Sequence, residues 1–201
     1  MTLPGQFSVR LTLHGDLDFF LRTADGRQSP PEITRFLGEP ASAKDVIESC
    51  GVPHPEVDRI IADGVLVEFA YVLRNNCSID VYSVGVSAME GQSEPLQRRH
   101  IVKFVADGHL GKLTRNLRLL GFDVACDNHA EDGQLLKVMQ AEERALLTRD
   151  RRLLMHSVVR DGYCPRSHQP AEQTLEVLRR FELARSVAPF TRCLKLSLIH
   201  I

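Results

Sequence analysis

The feature of this sequence that most constrains its fold is an alternation of apolar and amphipathic segments across residues 101–182. Three apolar segments have the length of buried strands: IVKFVAD (101–107), FDVAC (122–126) and RALLTRD (144–150). Residues 109–121 and a segment opened by Glu131 and Asp132 carry leucines at helical spacing between them. Strands that alternate with helices predict a parallel α/β sheet.

A last amphipathic helix is predicted over residues 170–182, followed by the end of this domain near residue 194. Its apolar residues Leu175, Leu178 and Phe181 are spaced to share one face, so we expect all three to point inward.

The first half has a different pattern, in which strands surround one helix. Residues 7–15 alternate apolar and polar side chains, as in a half-buried strand. Ser42 begins a capping-box-like helix start, Asp63-Gly64 predicts a hairpin turn, and residues 77–84 form the last strand. This order resembles a β-grasp, ubiquitin-like (α+β) module. The functional hypothesis for it is a docking or substrate-positioning module that could bind a protein partner, and the alternative is a domain that only stabilises its neighbour.

These patterns predict a β-grasp domain over residues 1–84, a linker over 85–100 and an α/β domain over 101–194. Residues 1–100 hold 9 Lys and Arg against 14 Asp and Glu, whereas residues 101–201 hold 16 against 12. The second half is therefore the more basic one, as expected if it meets an anionic partner. A signal peptide and a membrane-spanning run are both absent from the pattern, which predicts a cytoplasmic chain without membrane contact.

Two aspartates, Asp107 and Asp150, directly follow apolar strands, and Asp132 stands near the start of a helix. In parallel sheets the carboxyl ends of the strands and the starts of the crossover helices meet at one edge, where ligands bind. Clustered carboxylates are the ligands of Mg²⁺ or Mn²⁺, with Glu131 as the alternative to Asp132. The competing interpretation is that these acids are helix caps.

The stretches KFVADGHLGKLTRNLRLLGFD, AEDGQLL and ALLTRD resemble the PIN-like ribonucleases, in the branch named for the C-terminal RNase domain of Mut-seven. Members of that branch often carry a ubiquitin-like domain in front. The resemblance implies a metal-dependent ribonuclease in which Asp107, Asp132 and Asp150 are catalytic, and in which these acids and Glu131 bind Mg²⁺ or Mn²⁺. The alternative function is a non-catalytic RNA- or protein-binding module with structural acids.

Two departures from the family pattern accompany this resemblance. His129 and Gly133 stand where further acids are expected, so no fourth acid is assigned. The family commonly ends in a zinc ribbon, of which Cys193 would be the first ligand, and residues 195–201 are predicted to be a non-native tail after a truncation.

Basic residues flank the predicted acids and are candidates for contact with RNA phosphates, the alternative being a solvated surface. They are Lys112, Arg115, Arg118, Arg149, Arg151 and Arg152. Thr148 precedes the last acid and is predicted to bond to the metal shell or to backbone.

Overall fold

A computed structural model of the chain describes residues 6–21, 31–86, 95–127 and 130–191. The chain divides into a first unit, Met1–Gln97, and a second unit, Arg98–Ile201. The predictions for most of the linker, for His129, for Cys193 and for the tail from residue 195 lie outside the described residues. Within the described ranges, no helix combines the length and the apolar character needed to cross a membrane.

The first unit is a β-grasp, as predicted. Its five-stranded sheet has the order β2-β1-β7-β4-β5, in which β1 runs parallel to β7 and the other pairs are antiparallel. Its elements are β1 (Phe7–His14), β2 (Glu32–Leu37), β3 (Ala41–Ser42), α1 (Ala43–Ser49), β4 (Val57–Ala62), β5 (Val65–Val67), β6 (Val72–Leu73) and β7 (Cys77–Ser83).

Local signals in the first unit act as the sequence predicts. The Ser42 side chain accepts a hydrogen bond from the Asp45 backbone N–H at 3.1 Å, so it caps α1. Asp63 and Gly64 join β4 to β5 with φ angles of 46° and 83°. Two consecutive positive φ angles are those of the hairpin turn that Asp-Gly favours.

The second unit is a parallel α/β domain, which confirms the predicted fold class. Its four-stranded sheet has the order β11-β10-β8-β9, with every neighbouring pair parallel. Its elements are β8 (Lys103–Ala106), α2 (Gly111–Leu119), β9 (Asp123–Cys126), α3 (Asp132–Ala141), β10 (Ala145–Leu147), α4 (Arg151–Leu154), β11 (Gly162–Tyr163) and α5 (Pro170–Arg180).

The core of the second unit lies between this sheet and the pair α2 and α5. Phe104 on β8 and Phe181 after α5 are both fully buried, with ring centroids 5.2 Å apart. Leu113 and Leu117 of α2 join the same cluster, whereas α3 contributes no residue to it. Alternate residues of β8 therefore face α2 and α5, and Val105 faces the cleft beside α3.

The predicted inner face of α5 is wrong at one position. Leu175 is 50% exposed, whereas Thr174 and Val177 are buried. Thr174 Oγ1 donates to the Pro170 carbonyl at 2.7 Å, so this polar side chain is satisfied within the helix and takes the inward place. The buried stripe is rotated toward Val177 and Phe181 as a result.

Candidate active site

Asp107 and Asp150 reach the same edge of the second unit's sheet. Asp107 directly follows β8, and Asp150 lies three residues beyond β10, its parallel neighbour. The Asp107 N–H donates to the carbonyl of Leu147 at 3.0 Å, which extends the pairing of the two strands past their ends. The two acids therefore leave the sheet side by side at its carboxyl edge.

A single buried hydroxyl joins these two acids. Thr148 is fully buried, and its Oγ1 donates to Oδ2 of Asp107 at 3.0 Å. The same oxygen accepts the Asp150 backbone N–H at 3.0 Å. Thr148 thus fixes the side chain of one acid and the backbone of the other, and it does so on the rigid end of β10.

Both acids are also helix caps. Oδ1 of Asp107 accepts the His109 N–H at 3.1 Å, and Oδ1 of Asp150 accepts the N–H groups of Arg152 and Leu153 at 2.7 Å and 3.2 Å. Among the described residues, Oδ2 of Asp150 has no hydrogen-bond donor. Each acid is therefore oriented by backbone while keeping acceptor capacity.

The two acids that the sequence left as alternatives have different surroundings. Glu131 is the N-cap of α3 and forms a capping box with Gln134, whose side-chain oxygen accepts the Glu131 N–H at 3.1 Å. Asp132 is the exposed first residue of the helix, and its carboxylate bonds to no described residue. The geometry therefore favours Asp132 over Glu131 as the acid available to a ligand.

The structure does not bring the three aspartates together as a ready ligand set. In the described ranges, no three His, Cys, Asp or Glu side chains are grouped closely enough to hold one ion. Asp107 and Asp150 are linked through Thr148, and Asp132 belongs to the helix that follows the neighbouring strand β9.

The predicted RNA-contacting residues divide into three groups by exposure. Lys112, Arg115 and Arg152 are exposed, and Arg149 and Arg151 are half-buried. Arg118 departs from the prediction because only 8% of it is exposed, and its Nε and Nη2 donate to the Val124 carbonyl at 3.0 Å and 2.7 Å. Its guanidinium is committed to the strand β9, so Arg118 is a structural residue.

A cleft of about 620 Å³, which no sequence pattern indicated, lies between β9 and α3. Buried Arg144 forms part of its wall and bonds to Asp123 at 2.9 Å and to Glu142 at 2.6 Å. Burial alone lowers the pKa of Arg144, but hydrogen bonds and attraction from these carboxylates outweigh it, so the pKa stands above its ordinary value. Arg144 is thus a permanent cation fixed beside the start of β9.

His168 is a further residue at this edge, where the sequence allows either a catalytic or a plain surface histidine and favours the surface one. It follows β11, whose partner in the sheet is β10, and it is exposed beside the Arg149 guanidinium. The nearest sequence signal is its place after a short strand in a parallel α/β domain.

The fold and the acids at the carboxyl edge of the second sheet define a class of protein. It has a β-grasp unit followed by a parallel α/β unit with paired acids at that edge. Residues 7–88 match the family model described as Mut7-C ubiquitin, and residues 102–198 match the Mut7-C RNAse domain. The chain therefore belongs to the Mut7-C family, with the ubiquitin-like domain in front of the RNAse domain, as the sequence predicts.

Comparisons with curated proteins and with solved structures add no functional information. No curated protein matches the chain. The solution structure of the Haloferax volcanii HVO 2177 protein matches at 16% identity, over 42% of this chain and 89% of that one. Its TM-score of 0.28 is too low to carry an argument.

Proposed function

We propose that the second unit hydrolyses RNA phosphodiester bonds with Mg²⁺ or Mn²⁺ held by Asp107, Asp150 and Asp132. The observation that carries this proposal is the hydrogen-bonded connection from Asp107 through Thr148 to Asp150. It stands at the carboxyl edge of a parallel sheet, where such folds bind ligands, in a domain that matches an RNAse family.

The donor chemistry of these residues fits a hard divalent cation. Mg²⁺ and Mn²⁺ take oxygen ligands, and Mg²⁺ keeps several waters, so one or two carboxylates suffice to bind it. Oδ2 of Asp150 and both oxygens of Asp132 accept no hydrogen bond from a described residue. Each Asp107 oxygen accepts one bond and keeps a second lone pair.

The side chains have separate roles in this proposal. A bound ion would supply charge neutralisation at the scissile phosphate and a more acidic water. Thr148 keeps the Asp107 carboxylate in one orientation, and the first turn of α4 holds that of Asp150. Exposed Lys112 and Arg115 on α2 would attract the phosphate backbone of RNA and position it.

A non-catalytic RNA- or protein-binding module is the second candidate, and one observation favours it. Asp107, Asp150 and Glu131 all serve as helix caps, which is a sufficient reason for an acid at each position. This candidate requires neither an ion nor cleavage, so the two functions make opposite predictions.

The test is cleavage of end-labelled single-stranded RNA in Mg²⁺, in Mn²⁺ and in EDTA. Asp107→Asn keeps one oxygen that can accept the His109 N–H, and its NH2 group can donate to Thr148 Oγ1. It removes the charge, so it separates the metal role from the capping role. We expect it to lower the cleavage rate at least about 100-fold. Glu143→Gln is the matched control, because this exposed acid precedes β10 at the opposite edge.

Equal cleavage by the wild type and Asp107→Asn, or full cleavage in EDTA, would refute the proposal. RNA binding without cleavage in all three conditions would favour the non-catalytic module.

A further inference from the structure

The segment that follows β11 carries His168 to the edge where Asp150 stands. The sheet pairs Leu147 of β10 with Tyr163 of β11, and the Thr148 N–H donates to the Tyr163 carbonyl at 3.2 Å. The segments that follow β10 and β11 therefore leave the sheet at the same edge. Arg149, which directly precedes Asp150 in the sequence, contacts His168 there.

The Arg149 guanidinium lies against the imidazole ring of His168. Its Nη1 is 2.8 Å from Nδ1, and its Nη2 is 3.1 Å from Nε2. Arginine only donates, and a neutral imidazole has one acceptor nitrogen, so both contacts cannot be hydrogen bonds. The two groups are therefore in direct contact, and the pair carries the positive charge of the Arg149 guanidinium.

The charge of this pair is not neutralised by the protein. Among the described residues, neither Arg149 nor His168 has a carboxylate partner, and His168 is exposed. An arginine without an anion at a ligand-binding edge is available to an anion from outside. Arg98 shows the contrast, because its guanidinium bonds through Nε to both oxygens of buried Asp161 at 3.1 Å and 2.9 Å.

The backbone around His168 is held in place by α5. The Glu176 carboxylate accepts the N–H groups of Arg166 at 2.7 Å and Ser167 at 2.9 Å. The Gln173 side chain donates to the Ser167 carbonyl at 2.8 Å. On the other side, the Gln169 N–H donates to Ser167 Oγ at 3.0 Å. The imidazole is thus presented by an ordered segment, which lowers the entropy cost of binding on it.

We propose that Arg149 and His168 form the subsite for one nucleotide of single-stranded RNA on the β11 side of the cleavage site. Arg149 binds the phosphate with the guanidinium N–H groups that do not face His168, and the base stacks on the His168 ring. This inference rests on the proposed function for its substrate class, and it assigns a substrate-binding role to His168. Neither residue is assigned to the reaction itself.

The experiment measures RNA binding in EDTA, where no cleavage occurs, by fluorescence anisotropy with labelled U10 and with an abasic ribose-phosphate decamer. The full chain is used as the wild type and as Arg149→Ala, His168→Ala and His168→Phe. Arg179→Ala is the matched control, because Arg179 is an exposed arginine at the opposite edge of the sheet. It lies on the last turn of α5, and just after that turn the Phe181 carbonyl accepts the N–H of His100, which precedes β8. Thermal unfolding of each variant verifies that it is folded.

Loss of the phosphate contact and loss of the stacking contact give different signatures. Arg149→Ala should weaken binding of both oligomers and should reduce the slope of log affinity against log salt by about 0.7. His168→Ala should weaken binding of U10 about 5-fold or more while leaving the abasic decamer unaffected. His168→Phe keeps a ring and should bind U10 like the wild type, as should Arg179→Ala.

Three results would overturn the inference: no binding of U10 by the wild type, affinities of Arg149→Ala and His168→Ala equal to that of Arg179→Ala, or a His168→Phe variant as weak as His168→Ala. The cleavage assay in Mn²⁺ separates this result from the proposed function. If the wild type fails to cut RNA but shows the expected binding losses, the ribonuclease proposal fails and the subsite stands.

Discussion

Two buried threonines of the second unit should respond in opposite ways to the same substitution. Thr148 is 0% exposed and makes two hydrogen bonds, one to the Asp107 carboxylate and one from the Asp150 N–H. Thr114 on α2 is 3% exposed, and its buried Oγ1 has no hydrogen-bond partner among the residues that the structure describes. Valine replaces either hydroxyl with a methyl group of similar size, so each substitution isolates the hydroxyl.

The expected magnitudes follow from these contacts. Thr148→Val loses two hydrogen bonds, each worth about 0.5–1.5 kcal/mol net. Asp107 is half-exposed, so its charge adds little to the strength of its bond. We therefore expect the free energy of unfolding to fall by about 2 kcal/mol. Thr114→Val removes a polar group that folding desolvates without compensation. We expect it to stabilise the unit by about 1 kcal/mol.

Differential scanning calorimetry of the full chain measures both effects. A change of 1 kcal/mol shifts the Tm of a domain of this size by roughly 4–8 °C, so the two variants should move the second unit's transition in opposite directions by readily measured amounts. The wild-type chain, scanned under the same conditions, is the reference for both variants. A Thr148→Val variant with the wild-type Tm, or a Thr114→Val variant that is destabilised equally, would refute the reasoning.

Three further substitutions have definite expected outcomes. Gly121 has a φ of +93°, and a Cβ there would lie 2.3 Å from the Ala188 carbonyl oxygen, so Gly121→Ala should lower the free energy of unfolding by about 2 kcal/mol or more. Gly111 has a helical φ of −55° and open space around it, so Gly111→Ala should raise the free energy of unfolding by roughly 0.5–1 kcal/mol. Urea unfolding checks this pair, and equal midpoints would contradict it. Burial and, to a smaller extent, the Asp63 carboxylate raise the pKa of the Cys77 thiol. Asp63→Asn should therefore lower that pKa and speed alkylation of Cys77 at pH 8, measured by peptide mass spectrometry; an unchanged rate would remove Asp63 as a cause.

The parts of the fold that were predictable from sequence are those fixed by neighbouring residues. The Ser42 cap depends on the N–H three residues away, and the Asp63-Gly64 turn depends on residue types that tolerate positive φ. The strand-helix alternation of the second half likewise indicated a parallel sheet, because each segment's length and apolar content are local properties.

The parts that were missed depend on contacts between different helices and strands. Leu175 has the right spacing to be buried, but Thr174 takes the inward place, where its hydroxyl accepts from Asn116 of α2 at 3.2 Å. Arg118 has the spacing of a surface residue, but its guanidinium finds a carbonyl on the next strand. Likewise, the contact between Arg149 and His168 joins residues 19 positions apart, and no local pattern indicates it.

The position of Arg118 has a consequence for the behaviour of the protein in concentrated solution. β9 is the outermost strand on its side of the four-stranded sheet, and a free strand edge offers its peptide groups to any other extended chain. Because the buried guanidinium already occupies the Val124 carbonyl, an incoming strand must first displace two hydrogen bonds. Arg118 therefore makes edge-to-edge aggregation through β9 less favourable.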